Sequence, residues 1–324
     1  MWRDGKAQDD FDFSAISDYL TQDDTLVWCD IWDPDHAILK DLANELRLNH
    51  WAVEDAIDEA ERSKASVYKS HTFFTVYSVT AKDPAPEDVA ESTLDVHRIS
   101  GFVLPQGMIT VRLSPDVDVD AISQRFDELG GQEYGVGALV HGLLDWIVDG
   151  HFEAVQKLDD GIEGIEDDLF ADKPIKGPAL QRRTFTLRKD LVQLRRVVLP
   201  MREVVNAIQH RRLDAKTAPQ LDPQYADLYD HVLRVSEWTE SLRDMVTTVF
   251  ETNLSLQDAR LNTVMKKLTG WAAIIAVPTA VTGYYGQNVQ YPGVSTFWGW
   301  VASTAIIVLC VAGLYWMFRR RDWL

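Results

Sequence analysis

Residues Gly270 to Val289 read GWAAIIAVPTAVTGYYGQNV, and residues Trp298 to Phe318 read WGWVASTAIIVLCVAGLYWMF. Both lie in a run from Leu268 to Phe318 that contains no Asp, Glu, Lys or Arg. A bilayer core about 30 Å thick is crossed by roughly 20 helical residues, so each stretch is long enough to span. The intervening QYPGVSTF, residues 290–297, has room only for a turn or small loop. Pro278 falls inside the first stretch, which membrane helices tolerate better than soluble ones. A buried core hairpin is the competing reading, but core helices of soluble domains usually keep a charged outer face. The end of the chain reads as a membrane hairpin.

Its flanks give an orientation. Lys266 and Lys267 precede the first span, Arg319, Arg320 and Arg321 follow the second, and the connecting loop has neither Lys nor Arg. By the positive-inside rule this implies a multi-pass protein of the cell membrane with both termini cytoplasmic. The remaining charge is uneven. The formal net charge is −18, and residues 1–150 alone hold 30 acids against 11 bases, whereas residues 151–267 hold 19 against 18. Such an acidic chain has too few bases for a dominant positive face, which excludes a nucleic-acid partner. The two cysteines, Cys29 and Cys310, rule out a disulfide framework and an all-thiolate zinc site within one chain. The first residues, MWRDGKAQDD, lack a signal-peptide pattern.

Two spans cannot enclose a water-filled path, so the chain is either an anchored protein or one of several copies around an axis. Asn262, Met265, Thr269, Ala272, Ala276, Thr279, Gly283 and Gly286 recur at spacings of three and four, on one helical face. A small and polar stripe either lets helices pack closely or lines a pore, and the pattern itself leaves both open. Upstream, Gln224 to Thr269 contains no Gly and no Pro; as a helix it would be about 69 Å long. His141–Phe170 and Ala179–Leu213 predict two further helices, the first with an acidic cluster from Asp159 to Asp168, the second rich in Arg and expected to kink at Pro200. Opposite charges on the facing helices of a hairpin explain the pair, and an acidic tip that attracts cations is compatible with it.

The acidic first part predicts an α/β domain with a small sheet. Strands are expected at Thr25–Ile31, Ala65–Tyr68, Thr72–Ala81, Leu94–Leu104 and Met108–Leu113, and helices at Asp35–Leu46, Trp51–Glu61 and Val119–Leu129. It contains no Gly-rich phosphate loop, no HExxH and no GxSxG, and no nucleophile, base or cofactor motif supports an enzyme.

NTVMKKLT, a Pro-containing span, YGQN, a short loop, a second span and the tail RRRDWL together resemble the CorA family of magnesium and cobalt transporters. The resemblance extends through VWCDIWDPD, WAVEDAIDEAERSK, ISGFVLPQGMITVR and ADLYDHVLRVSEWTESLRDMV, nearly the whole chain. It implies an α/β cytoplasmic domain (1–135), a helical hairpin (136–220), a stalk helix (221–269), a pore-lining first span (270–289), an external loop (290–297), a second span (298–318) and a basic tail (319–324). It also implies a homopentamer in the lipid bilayer that conducts hydrated divalent cations, Mg²⁺ first and also Co²⁺ and Ni²⁺, with no enzymatic cofactor. Asn288 would hold the ion through its hydration water at the pore mouth, within a selectivity loop Tyr285-Gly286-Gln287-Asn288. Gln287 stands where the family usually has Met. Met265 and Leu268 match a hydrophobic constriction, Asn262 a polar position below it, and Thr269, Ala272, Ala276, Thr279 and Gly283 the lining above. Glu54, Asp55, Asp145 and Asp227 match acids through which regulatory Mg²⁺ bridges neighbouring subunits. Two alternatives stand beside this: a Zn²⁺ transporter of the same architecture, suggested by Gln287, and a membrane-anchored structural or sensing protein that moves no ion.

Overall fold

A computed structural model describes residues 1–3, 6–8, 12–22, 24–58, 61–82, 92–170, 177–214, 218–287 and 296–323. They form two compact units, 1–249 and 250–324.

The first unit is built on a seven-stranded sheet. Its strands are β1 (Trp2–Arg3), β2 (Lys6–Ala7), β3 (Thr25–Trp32), β4 (Lys64–Val67), β5 (Thr72–Ala81), β6 (Leu94–Leu104) and β7 (Gly107–Arg112), in the order β2-β1-β3-β7-β6-β5-β4. Neighbours are antiparallel except β3 and β7, which run parallel. Successive side chains of a strand point to opposite faces, and here both faces are apolar. Phe73, Phe102, Ile109 and Val111 pack with Val27 and Cys29 under two helices, α2 (His36–Leu46) and α3 (His50–Ile57), after the four-residue α1 (Ile16–Tyr19). Their sequence neighbours Phe74, Ile99 and Met108 face the other way, toward α4 (Val119–Glu128), α6 (Val136–Phe170), α7 (Gly177–Asp214) and the start of α8 (Asp222–Tyr285). A single turn, α5 (Gly131–Tyr134), joins α4 to α6.

The helix starts are set by side chains. Asp35 accepts from the Ala37 amide, Asn49 from those of Trp51 and Ala52, and Asp118 from that of Ala121, each satisfying an amide without a helical partner. Asp35 is therefore a cap rather than the first helical residue, and α3 begins at His50 and ends at Ile57, four residues short of the expected Glu61. The remaining strand boundaries lie within one residue of expectation. Sequence patterning gave no sign of β1, β2, α1 or α5, which are too short to show a period.

The parallel β3–β7 pair carries a polar clamp. The Trp28 indole donates to Thr110 Oγ1 (3.0 Å), which donates to Asp30 Oδ1 (2.6 Å), and the Arg112 guanidinium grips the same carboxylate through Nε and Nη2. Beside it the Cys29 thiol is pushed up to about 12 by burial and by the charge of Asp30.

Helix α6 packs against the sheet, chiefly β5, and also against α4 and α7. A Cβ on Gly150 would come within 2.8 Å of the Val79 carbonyl, so glycine permits the approach to β5. Beside it His151, buried, donates from Nε2 to the Tyr77 carbonyl at 2.8 Å. On the far side Gly161 and Gly164 leave room for Leu187 and Arg183 of α7. Asp168 pairs with Arg183 at 2.8 Å, and Asp159 accepts from the Trp238 indole of α8 at 3.1 Å. The facing charges anticipated for the hairpin thus meet at Asp168–Arg183. Helix α7 runs unbroken with Pro200 inside it.

In the second unit, α8 continues without a break through Pro278 to Tyr285, and α9 spans Phe297–Arg320, with Thr296 capping it by accepting from the Gly299 amide. The most apolar windows of the two helices are only 11% and 6% buried, so the chain does not cover them as core helices are covered. In hydrocarbon such backbones are self-satisfied because the hydrogen bonds run within each helix.

His151 gives a test of the sheet–α6 contact. Burial pushes its pKa down to about 4 from an ordinary 6.5, so below 6.5 the unfolded chain takes up a proton that the fold resists. Its contribution is therefore complete above 6.5 and declines as pH falls toward about 4. Thermal melting of the full chain in detergent across that window should show falling stability, and His151→Gln, which keeps a donor for Tyr77, should flatten part of the slope; an unchanged slope would contradict the assignment.

Candidate ion-conducting and regulatory site

The second half of α8 has two unlike sides. Gly270 and Ile274 are buried, and Ala273, Val277, Pro278 and Val281 are half-buried. On the rest of the surface Asn262, Met265, Leu268, Thr269, Ala272, Ala276, Thr279 and Gly283 are all exposed. Among the described residues, the small and polar stripe is therefore left uncovered by the rest of the chain. One member of the stripe and one neighbour bond locally: Thr279 Oγ1 donates to the Ile275 carbonyl at 3.2 Å and Thr282 Oγ1 to that of Pro278 at 2.8 Å. Below the stripe the apolar side of the helix also loses its cover. Leu228, Val232, Val235, Leu242 and Val249 are buried, but Leu254, Leu261, Val264, Met265 and Leu268 are 46 to 63% exposed. Lys266 and Lys267 at one end, Arg319 and Arg320 in the last turn of α9, and Arg321 at its C-cap are exposed.

At the upper end the helix closes tightly. The Gly286 amide donates to the Thr282 carbonyl at 2.9 Å and the Gln287 amide to that of Tyr284 at 3.3 Å. A Cβ on Gly286 would meet the Thr282 carbonyl at 3.0 Å, which is why a glycine follows Tyr285 here. Gln287 is exposed and Tyr285 half-buried. Asn288 and most of the expected loop, through residue 295, lie outside the described residues.

The candidate regulatory acids fall in two places. Glu54 and Asp55 sit on α3, on the sheet face opposite α6. Glu54 is exposed; Asp55 is engaged by the Lys64 ammonium at 2.7 Å, which also reaches Glu61 at 3.1 Å. Asp145 on α6 is held by Arg125, whose other arm reaches Asp149 at 2.6 Å. Asp227 on α8 is 72% exposed at its side chain and stands 3.7 Å from His231. Near both is His141 of α6, whose Nε2 donates to the Gln224 carbonyl of α8 at 3.1 Å and whose titration feels the charges of Asp145 and Asp227. Burial lowers its pKa, against the opposing pull of that hydrogen bond and of both carboxylates. One chain thus brings Asp145 and Asp227 around one imidazole but does not bring Asp55 to them. Among the described residues, no three His, Cys, Asp or Glu side chains are placed to hold a metal ion. Lys64 and Arg125 escaped the sequence reading, because a cation that reaches an acid across a strand or between two helices leaves no local pattern.

A family model described as CorA-like Mg²⁺ transporter protein matches residues 23–320. A putative metal ion transporter of Bacillus subtilis, YfjQ, is 26% identical over 91% of this chain and 89% of its own length. The cobalt/magnesium transport protein CorA of Thermotoga maritima is 26% identical over 84% and 76%. A zinc transport protein, ZntB of Yersinia enterocolitica, is also 26% identical, over 61% of each. The complete structure of the CorA magnesium transporter from Methanocaldococcus jannaschii superposes with a TM-score of 0.73 at 22% identity, covering 94% of this chain and 93% of that one. The α/β sheet domain, the long helix and the two apolar C-terminal helices are the shared fold. The chain belongs to the CorA family of divalent-cation transporters.

Proposed function

We propose that the chain assembles as a homopentamer and conducts hydrated divalent cations, Mg²⁺ foremost, down their electrochemical gradient across the cell membrane with both termini cytoplasmic. The observation that carries this is the stripe on α8. Eight small, polar or gate-type residues on one face stay exposed, and, among the described residues, the cover that one chain gives this part of the helix is confined to Gly270 and Ile274, with Ala273, Val277, Pro278 and Val281 half-buried. Five copies of that face around an axis would line a path that two helices alone cannot enclose. The uncovered apolar residues from Leu254 to Leu268 support assembly, since exposed apolar patches of this kind mark contact surfaces. In this reading Met265 and Leu268 form a dewetting constriction and Asn262 a polar ring below it. Ala272, Ala276, Thr279 and Gly283 leave width for an ion with its water, and Thr269 lies between constriction and lining.

Neutral oxygens suit Mg²⁺, which sheds its water reluctantly. In this proposal Asn288 contacts the hydration shell at the mouth, with Tyr285, Gly286 and Gln287 shaping the turn that presents it. Lys266, Lys267 and Arg319 to Arg321 anchor the two helices at the cytoplasmic headgroups. A second reading, a Zn²⁺ carrier of the same architecture, is favoured by Gln287 at the mouth and by the resemblance to a zinc transport protein. Flux into vesicles containing the purified protein separates them. Mg²⁺, Co²⁺ and Ni²⁺ uptake should follow the membrane potential and be indifferent to a pH gradient, whereas proton-dependent Zn²⁺ uptake would favour the second. Asn288→Ala should lower Mg²⁺ flux about tenfold, a barrier change of ~1.4 kcal/mol; unaltered flux and ion preference would remove Asn288 from the mouth.

For regulation, cytoplasmic Mg²⁺ bridges Glu54 and Asp55 of one subunit to Asp227 of its neighbour, with Asp145 nearby, and holds the pentamer closed. Mg²⁺ needs only one or two carboxylates plus water, but here it has to displace Lys64 from Asp55. Limited proteolysis of the wild type should slow when Mg²⁺ is added. The Asp55→Ala/Asp227→Ala double variant should lose that protection, and Lys64→Ala should gain it at lower Mg²⁺. Equal protection in wild type and double variant refutes the bridge.

A further inference from the structure

Within the first unit, a cavity of about 230 Å³ opens where the β5 and β6 ends of the sheet meet α6, α7 and α8. Its chemistry is unlike the rest of the domain. In a chain with 50 acids, no Asp or Glu is among its described lining residues, while Arg211, Arg212, His71 and Ser70 are. The remaining wall is mainly apolar, from side chains such as Val103, Val140 and Ile208.

The two arginines differ in what they already do. Arg212 is buried; its Nη2 pairs with Asp222, its Nη1 donates to the Ala218 carbonyl at 2.6 Å, and its guanidinium lies 4.5 Å from the centre of the Tyr225 ring. Its charge is therefore answered within the fold. Arg211 is half-buried and makes no ion pair or hydrogen bond among the described residues, so one positive charge at the cavity is unanswered. His71, 3% exposed, stacks on Tyr68 with ring centres 4.9 Å apart, and its Nδ1 is bonded to Ser70 Oγ at 2.9 Å. Its Nε2 is buried without a partner. When Ser70 donates to Nδ1, the neutral ring carries its proton on Nε2, leaving a donor that lacks an acceptor. A buried donor of that kind costs about 1–3 kcal/mol unless something accepts from it.

We propose that this cavity is a binding site for a small organic monocarboxylate, with the carboxylate on the Arg211 guanidinium and the apolar body against the Val103, Val140 and Ile208 wall. One unanswered charge calls for a monoanion. The planar guanidinium fork matches a carboxylate through two parallel hydrogen bonds. The volume is below the roughly 300–1,000 Å³ of sites for drug-sized ligands, which restricts the occupant to a small metabolite. Tyr225 forms part of the wall and donates to the Gly137 carbonyl at 2.9 Å, so an occupant touches the contact between α8 and α6.

Isothermal titration of the full-length protein in detergent with benzoate, its neutral isostere benzamide and inorganic phosphate tests the site. Benzoate should bind saturably, with benzamide and phosphate at least about tenfold weaker. Arg211→Ala should weaken benzoate by about tenfold and Arg211→Glu should abolish its binding, while Arg211→Lys, which keeps the charge but not the fork, should fall between wild type and Arg211→Ala. Arg211→Ala and Arg211→Glu should still melt cooperatively, since Arg211 makes no ion pair or hydrogen bond among the described residues and only the packing of its half-buried stem is given up. Absence of saturable benzoate binding, equal affinity for benzamide, tighter binding of phosphate, or indifference to Arg211 would each overturn the proposal.

Discussion

The docking of α6 onto the sheet is the contact on which the first unit depends. A 35-residue helix lies between a sheet and two other helices, so both of its sides have to approach a neighbour closely. The sequence meets this with glycines at Gly150, Gly161 and Gly164 and with one buried polar bond, from His151 to the Tyr77 carbonyl. Each glycine forgoes helix propensity of roughly 1 kcal/mol relative to alanine. That loss is offset by contacts that a Cβ would prevent. Because α7 and the base of α8 also pack with α6, this seat helps to set where the acids on the α6–α8 side stand, beside the contacts that α7 makes directly with β4 and β5.

Much of the architecture was legible in the sequence, for reasons that can be named. The strands β3, β5, β6 and β7 alternate residues between two apolar faces, so their limits can be read closely. The two apolar runs stand out because charge disappears from Leu268 to Phe318. The cap at Asp35 was less legible, since an Asp before an apolar run serves as either first residue or cap. The partners of the candidate regulatory acids were not legible at all. Lys64 meets Asp55 beyond the end of α3, and Arg125 reaches from α4 to α6; both meetings are decided by how elements pack rather than by spacing along the chain.

Those partners alter what the acidity of the chain means. Asp30 is spent on Arg112, Asp145 and Asp149 on Arg125, Asp168 on Arg183 and Asp222 on Arg212. Of the candidate regulatory acids, Asp227 and Glu54 lie exposed and open to an ion from outside. An excess of negative charge thus coexists with a fold whose inner carboxylates are largely compensated, and local pairing rather than the total decides where a cation finds a ligand.

The two cysteines have a practical consequence. Cys29 is sealed in the sheet and held protonated, and Cys310, exposed on one chain, lies midway along α9, where the membrane position proposed above puts it in hydrocarbon. Water-soluble thiol reagents need a thiolate in contact with water, so the native chain should present them with almost no target. A single cysteine placed anywhere along the exposed face of α8 would report its own accessibility against a silent background, without first removing either natural thiol.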